Sequence, residues 1–366
     1  MRILPALLLF LAGHAITAQT VRKYSNEFLN IGVDAAAFGM ANAVTATSKD
    51  VNAGYWNPAG LVHLEDYEFS LMHASYFANI ALYDYLAGAM PLDNNSAVGL
   101  SVIRFGVDDI LDTRALIDAG GNITPFDQLP RFSTADWAFT LSYARKLPLD
   151  GFSFGVNAKV IRRVIGDFAS AWGFGFDAGV QFDRGKWNIG VMARDITTTV
   201  NTWSIDDDIF DDIGDSNNDG VVDENDEATQ QEVPESTEIT IPKLQVGIAR
   251  TFVYRYDFTF QTALDLNVRF AETNDIISTS TVSMTPALGF QAGYIDMIFL
   301  RAGLGNFQEE LQLDGSDDIS FQPGFGVGFK YAGIQVDYAF TDIGDQSAAL
   351  YSNVFSLKLD WSAFRK

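Results

Sequence analysis

The chain has no cysteine, only three histidines, and about half as many basic as acidic residues, 24 against 47. The missing thiols exclude a disulfide scaffold, a Cys-ligated zinc or iron–sulfur site and a thiol nucleophile. A net charge of −23 leaves no basic face for nucleic-acid phosphate. Beyond the first residues no run of 18 or more apolar residues occurs, so no transmembrane helix is expected. No His-Glu-x-x-His, Gly-x-Ser-x-Gly or phosphate-binding glycine loop is present, and His63 and His73 stand apart from any metal or triad spacing. We therefore assign no catalytic residue.

What is present begins with a leader. Met1-Arg2 is basic, Ile3–Ala12 is apolar, and Ile16-Thr17-Ala18 offers a cleavage site, so 1–18 read as a secretory signal peptide. The full chain is 48% hydrophobic but only 19% charged, with 29 Phe, 31 Gly and a mean hydropathy near zero. Period-2 alternation accounts for that combination. Over 256–270, Tyr256, Phe258, Phe260, Leu264, Leu266 and Val268 share one face, opposite Asp257, Gln261, Ala263, Asp265, Asn267 and Arg269. Over 152–160, Phe152, Phe154, Val156 and Val160 oppose Ser153, Gly155, Asn157 and Lys159. Trp137, Phe139, Leu141 and Tyr143 oppose Ala138, Thr140, Ser142 and Ala144 in the same way.

A soluble sandwich also alternates, but its strands average about 5–6 residues. Here they run to about 10–15, enough to cross a bilayer at a tilt. The expected fold is all-β, a 14-stranded antiparallel transmembrane β-barrel over 67–366, with strands near 67–78, 81–91, 96–106, 134–147, 151–163, 169–183, 186–195, 240–253, 256–270, 280–292, 296–304, 319–331, 333–341 and 350–361. Connections after even strands are short and those after odd strands are mostly longer. That asymmetry places the short turns and both termini in the periplasm. Charges on the polar strand faces, Lys159, Arg194, Asp257, Asp265, Arg269 and Asp337, are expected to form lumen ion pairs and contacts to a plug. Gly-x-Gly runs such as Gly324–Gly328 are expected to ease packing within a strand.

Residues 25–62 do not alternate. They are rich in small side chains and include Tyr55-Trp56-Asn57-Pro58-Ala59-Gly60-Leu61, with a turn at Asn57–Gly60. This region resembles the N-terminal part of FadL-type outer-membrane barrels. The resemblance implies a bacterial outer-membrane location and a lumen plugged by the N-terminal segment, here 19–66. Ser101-Val102-Ile103-Arg104-Phe105-Gly106-Val107-Asp108-Asp109-Ile110, followed by Asp112-Thr113-Arg114, resembles the PorV/PorQ branch of that superfamily. That implies a barrel assisting type IX protein secretion, or attachment of secreted proteins at the cell surface, through partner proteins and amid outer-membrane lipid. The alternative is a FadL-like transporter of a small hydrophobic compound. The matched residues Trp56, Asn57, Pro58, Gly60, Arg104, Asp108 and Asp109 are expected to serve plug folding and barrel packing.

Residues 201–238 carry fourteen acids and no Lys or Arg, more than half of the net charge, within a predicted external loop at about 196–239. Asp215, Asn217, Asp219, Asp223 and Asp226 take positions 1, 3, 5, 9 and 12 of a calcium loop. Gly220 supplies the sharp turn, Val221 a carbonyl and Val222 an inward side chain. Calcium is the expected cofactor, and the Asp closing the loop looks like a dockerin-type site. Chelation is expected to raise protease cleavage within 201–238 while leaving the barrel intact. Equal cleavage with and without calcium would remove the assignment.

Overall fold

A computed structural model describes residues 25–76, 80–116, 123–206, 237–311, 317–341 and 352–364. The leader, the calcium motif 215–226 and several loop tips lie outside these residues. The described chain forms one closed antiparallel sheet of fourteen staves. These are β1 (Glu68–Tyr76), β2 (Ala81–Asp93), β3 (Ser96–Leu111), β4 (Arg131–Lys146), β5 (Phe152–Ile165) and β6 (Ala169–Arg184). Next, β7 runs Trp187–Arg194 and resumes over Thr199–Ile205, and β8 is Thr237–Thr240 continued by Lys243–Tyr254. The rest are β9 (Phe258–Arg269), β10 (Ser283–Tyr294), β11 (Ile298–Leu311), β12 (Asp317–Tyr331), β13 (Ile334–Thr341) and β14 (Ser352–Asp360). A two-residue strand, Ile277–Ser278, pairs back onto β10 from the connection before it. β1 pairs with both β2 and β14, which closes the wall and leaves no free edge.

The faces are inverted relative to a water-soluble barrel. Ser153, Asn157, Lys159, Asp177 and Asp265 are buried, while Leu100, Leu141, Phe176, Leu264 and Leu300 are exposed. One register row runs outward-facing round the long-connection end: Tyr338, Phe355, His73, Asp84, Arg104, Trp137, Arg162 and Trp172. Arg104 lies over the Trp137 ring and Arg162 over Trp172. The short-turn end exposes Trp187, Tyr254, Tyr294, Tyr331 and Trp361. Amphipathic rings at both ends mark the two membrane interfaces. On β5 the distance from Phe152 to Arg162, about 3.4 Å per residue at a tilt near 40°, rises about 25 Å, the height of an outer-membrane apolar band.

The fourteen strands and the long/short alternation of their connections agree with the sequence reading. Three details differ. β3 and β11 extend at their long-connection ends beyond the expected ends at 106 and 304, through bulges after Val107 and Gly305. Asp257 lies in the turn between β8 and β9 and is no part of a strand's polar face. The seventh stave does not end at 195 but turns and resumes. Asp195 and Thr198 adopt positive φ there, 54° and 59°. Ladder pairing with β6 passes from Ala178–Ala193 to Phe174–Val200, and Ile196 N–H still donates to Phe176 O at 2.9 Å. The break carries a side chain: it turns Asp195 into the lumen.

Candidate functional site

The segment from Ser25 to Leu64 packs inside the barrel. The helical turn Ala35–Gly39 lies against β11 to β14, and the 3-10 turn Pro58–His63 against β2 to β6. Between them, Thr45 N–H donates to Asp265 Oδ2 of β9 at 2.9 Å. One segment thus touches staves on opposite sides of the lumen.

The Tyr-Trp-Asn-Pro-Ala-Gly motif works as a unit there. Trp56 Nε1 donates to Val33 O at 3.0 Å and holds the two halves of the segment together. Asn57 is wholly buried. Its Oδ1 accepts from Ala59 N–H, which starts the 3-10 turn, and its Nδ2 donates to Thr45 O and to Val180 O of the wall, each at 3.2 Å. Pro58 occupies the first position of the turn, where no backbone N–H is missed. Gly60 lies against Ser48 O with no room for a Cβ. The wall meets the segment with glycines of its own. A Cβ on Gly155 would strike the Pro58–Ala59 peptide, one on Gly303 the Met40–Ala41 peptide, and one on Gly324 Phe38 O.

Polar contacts lock this arrangement. Lys358 reaches Asp50 at 2.8 Å and Asp34 at 3.3 Å, and the Ser356 hydroxyl donates to Asp34 at 2.8 Å. Burial pushes the Asp34 carboxyl up, but the Lys358 ammonium, the Ser356 hydroxyl and Arg301 outweigh it and hold it below the ordinary carboxylate value. Arg194 donates to Tyr55 O at 2.9 Å and lies 4.5 Å from the Tyr55 ring centre. Burial raises the Tyr55 phenol against the pull of Arg194. Gln181 donates to Ser48 O at 3.0 Å, and Asp183 accepts from Lys49 at 2.9 Å and pairs with His63 at 3.0 Å.

Beneath Tyr55 lies a buried triad. Lys159 of β5 sits 2.7 Å from both Asp177 of β6 and Asp195. Thr199 donates to Asp195 at 2.6 Å, and Asn157 links Asp177 to Gly54 O of the inner segment at 3.2 and 2.9 Å. Across the lumen Arg301 pairs with Asp337 at 2.6 Å. Lys159, Arg194, Asp265, Arg269 and Asp337 therefore take the expected lumen roles. The acids and cations Asp34, Asp50, Asp177, Asp195, Arg301 and Lys358 belong to the same network but were not picked out from sequence. Their partners lie up to about three hundred positions away, and no local spacing announces them.

Arg104, Asp108 and Asp109 lie elsewhere, at the long-connection end of β3. Arg104 pairs with Asp108 at 3.2 Å, and Asp109 adopts φ 60° in the bulge. Among the described residues no group of three metal-ligating side chains occurs.

A cavity of about 290 Å³ remains between the inner segment and the wall. It opens on the long-connection half of the lumen. Its lining includes Asn30, Tyr55, Arg194, Lys243, Gln245 and Asn267.

No protein-family model and no curated protein matches the chain. Solved structures do. A Pseudomonas aeruginosa FadL homologue aligns over 90% of this chain and 98% of its own, at 13% identity and TM-score 0.49. The P. putida toluene transporter TodX and the CymD monoaromatic hydrocarbon channel each reach TM-score 0.52 at 10% identity. They cover 90% of this chain and 98% and 96% of their own. At such identity the likeness speaks for architecture, and the architecture is the closed 14-stranded barrel of FadL-type outer-membrane proteins.

Proposed function

We propose that this barrel is a plugged outer-membrane channel that admits a small compound. The observation that carries the reading is the inner segment: it fills the lumen, yet leaves a cavity of about 290 Å³ on the long-connection side. In this reading the short turns and both termini face the periplasm, the cavity faces outward, and 25–64 is the plug. The fold shared with a toluene transporter and a hydrocarbon channel supports passage over partner binding.

The test uses the absence of native cysteine. Asp34 and Ser356 touch across the plug–wall boundary at 2.8 Å. An Asp34→Cys/Ser356→Cys variant, oxidised in proteoliposomes, is expected to lose solute flux and to regain it on reduction. Flux that persists unchanged through the locked plug would show that passage does not need the plug to move, and no flux of any small solute in the wild type would sink passage.

A second reading, a PorV/PorQ-type barrel that binds secreted or secretion-machine proteins, rests on 101–114. Asp108 and Asp109 are exposed at the outer rim, where a partner would meet them. Recovery of such proteins with the barrel in mild detergent would favour it, and their loss in an Asp108→Ala/Asp109→Ala variant would locate the contact. Calcium in 215–226 fits either reading, as an ordering ion for the acidic loop.

A further inference from the structure

The cavity lining is mixed: Leu29, Ile31, Phe38 and Leu244 share it with Glu27 and with a cluster of cationic and amide side chains. Its chemistry centres on one register row. Arg194, Lys243 and Arg269 lie directly opposite one another on β7, β8 and β9, as the pairs Lys243–Arg194 and Lys243–Arg269. Like charges directly opposite in a sheet repel. Among the described residues each of them has an acid to balance it, but through long or shared contacts. Arg194 bonds to neutral oxygens, Gln245 Oε1 at 2.7 Å and Tyr55 O at 2.9 Å, and it shares the buried charge of Asp177 with Lys159. Lys243 has Glu27 at 3.4 Å, whose side chain is half exposed. Arg269 has Asp275 at 3.3 Å. Both pairs are longer than the 2.7–2.9 Å usual for charge-assisted bonds. Lys243 and Arg269 thus stand side by side with donors to spare.

The next inward-facing row carries two amides between Met192 and Thr285. Gln245 faces Asn267 and donates to its Oδ1 at 2.7 Å, and Asn30, Asn306 and Gln322 also line the cavity. Amides offer donors and acceptors together, the complement of hydroxyl groups. A carboxylate would bridge Lys243 and Arg269, whose own acid partners stand at 3.4 and 3.3 Å, and hydroxyls would meet the amides.

We propose that this cavity binds a small hydroxylated carboxylate, of the sugar-acid class, with the carboxylate between Lys243 and Arg269. The proposal rests on the channel reading, but binding and passage separate experimentally. Gluconate binding without flux removes the channel reading and leaves the site; flux without gluconate binding does the reverse.

The experiment is calorimetric titration of the intact barrel in detergent with gluconate, glucose, octanoate and toluene. Gluconate is expected to bind at least about ten-fold more tightly than glucose or octanoate, and its binding to weaken as salt is added. Lys243→Met/Arg269→Met is expected to weaken gluconate by about ten-fold or more, whereas Lys243→Arg retains it. Unchanged heat-modifiability on gels verifies that each variant is a folded barrel. Absence of gluconate binding to the wild type overturns the proposal. So does equal binding by the double variant, or tighter binding of octanoate or toluene than of gluconate.

Discussion

Lys159→Met is expected to destabilise the folded barrel by about 3–5 kcal/mol, the range for removing one partner of a buried charge pair. Asp177 and Asp195 are 1% and 6% exposed, and both sit 2.7 Å from the Lys159 ammonium. Without it two carboxylates face each other in a closed lumen with little water to solvate them. The cost falls on β6 and on the break in β7, because Asp195 N–H also donates to Asp177 at 2.9 Å. Urea unfolding in detergent micelles measures the loss as a lower midpoint. The same lysine change combined with Asp177→Asn and Asp195→Asn removes all three charges, and most of the stability is expected to return. A single Lys159→Met variant as stable as the wild type would show that the triad contributes no net stability.

Gly155→Leu/Gly303→Leu is expected to unseat the inner segment while leaving the wall closed. Both glycines face inward where the backbone of the inner segment lies against the sheet, Pro58–Ala59 at one and Met40–Ala41 at the other. Overpacking of this kind costs typically about 1–3 kcal/mol per site. Here that cost can be avoided by moving the segment, because none of its residues belongs to the hydrogen-bonded ladder of the barrel. The expected results are a large rise in single-channel conductance and new protease cleavage within 25–64, with heat-modifiability unchanged. Conductance and cleavage both at wild-type levels would mean that the segment tolerates the side chains and that the close approach is not what seats it.

These two sites show where the sequence was legible. Lys159 could be placed in the lumen from period-2 alternation alone, because Phe154, Val156 and Val160 define the opposite, lipid-facing side. Its partners could not be named. Asp177 belongs to an adjacent strand, and Asp195 enters only because a turn at positive φ interrupts β7, a feature that no residue pattern marks. Gly155 and Gly303 read as packing glycines within strands, but what they pack against is a segment about a hundred residues away for the first and more than two hundred and fifty for the second. The motif Trp56–Gly60 was marked by resemblance as part of the N-terminal segment. Its hydrogen bonds to Thr45 and Val180 were not. The motif at 101–114 forms an ion pair and a bulge at the long-connection end of β3.

The amino-acid sequence by itself determined the fold class, the fourteen strands, the inner and outer face of each, and the side with the short turns. Alternation is local, and a one-residue slip would send a whole apolar face into the lumen. The tertiary structure alone decided which charges pair, how the inner segment is locked, and that Arg194, Lys243 and Arg269 fall in one row beside a cavity. Those depend on the relative register of distant strands, which closure of the barrel sets and no short stretch of chain encodes.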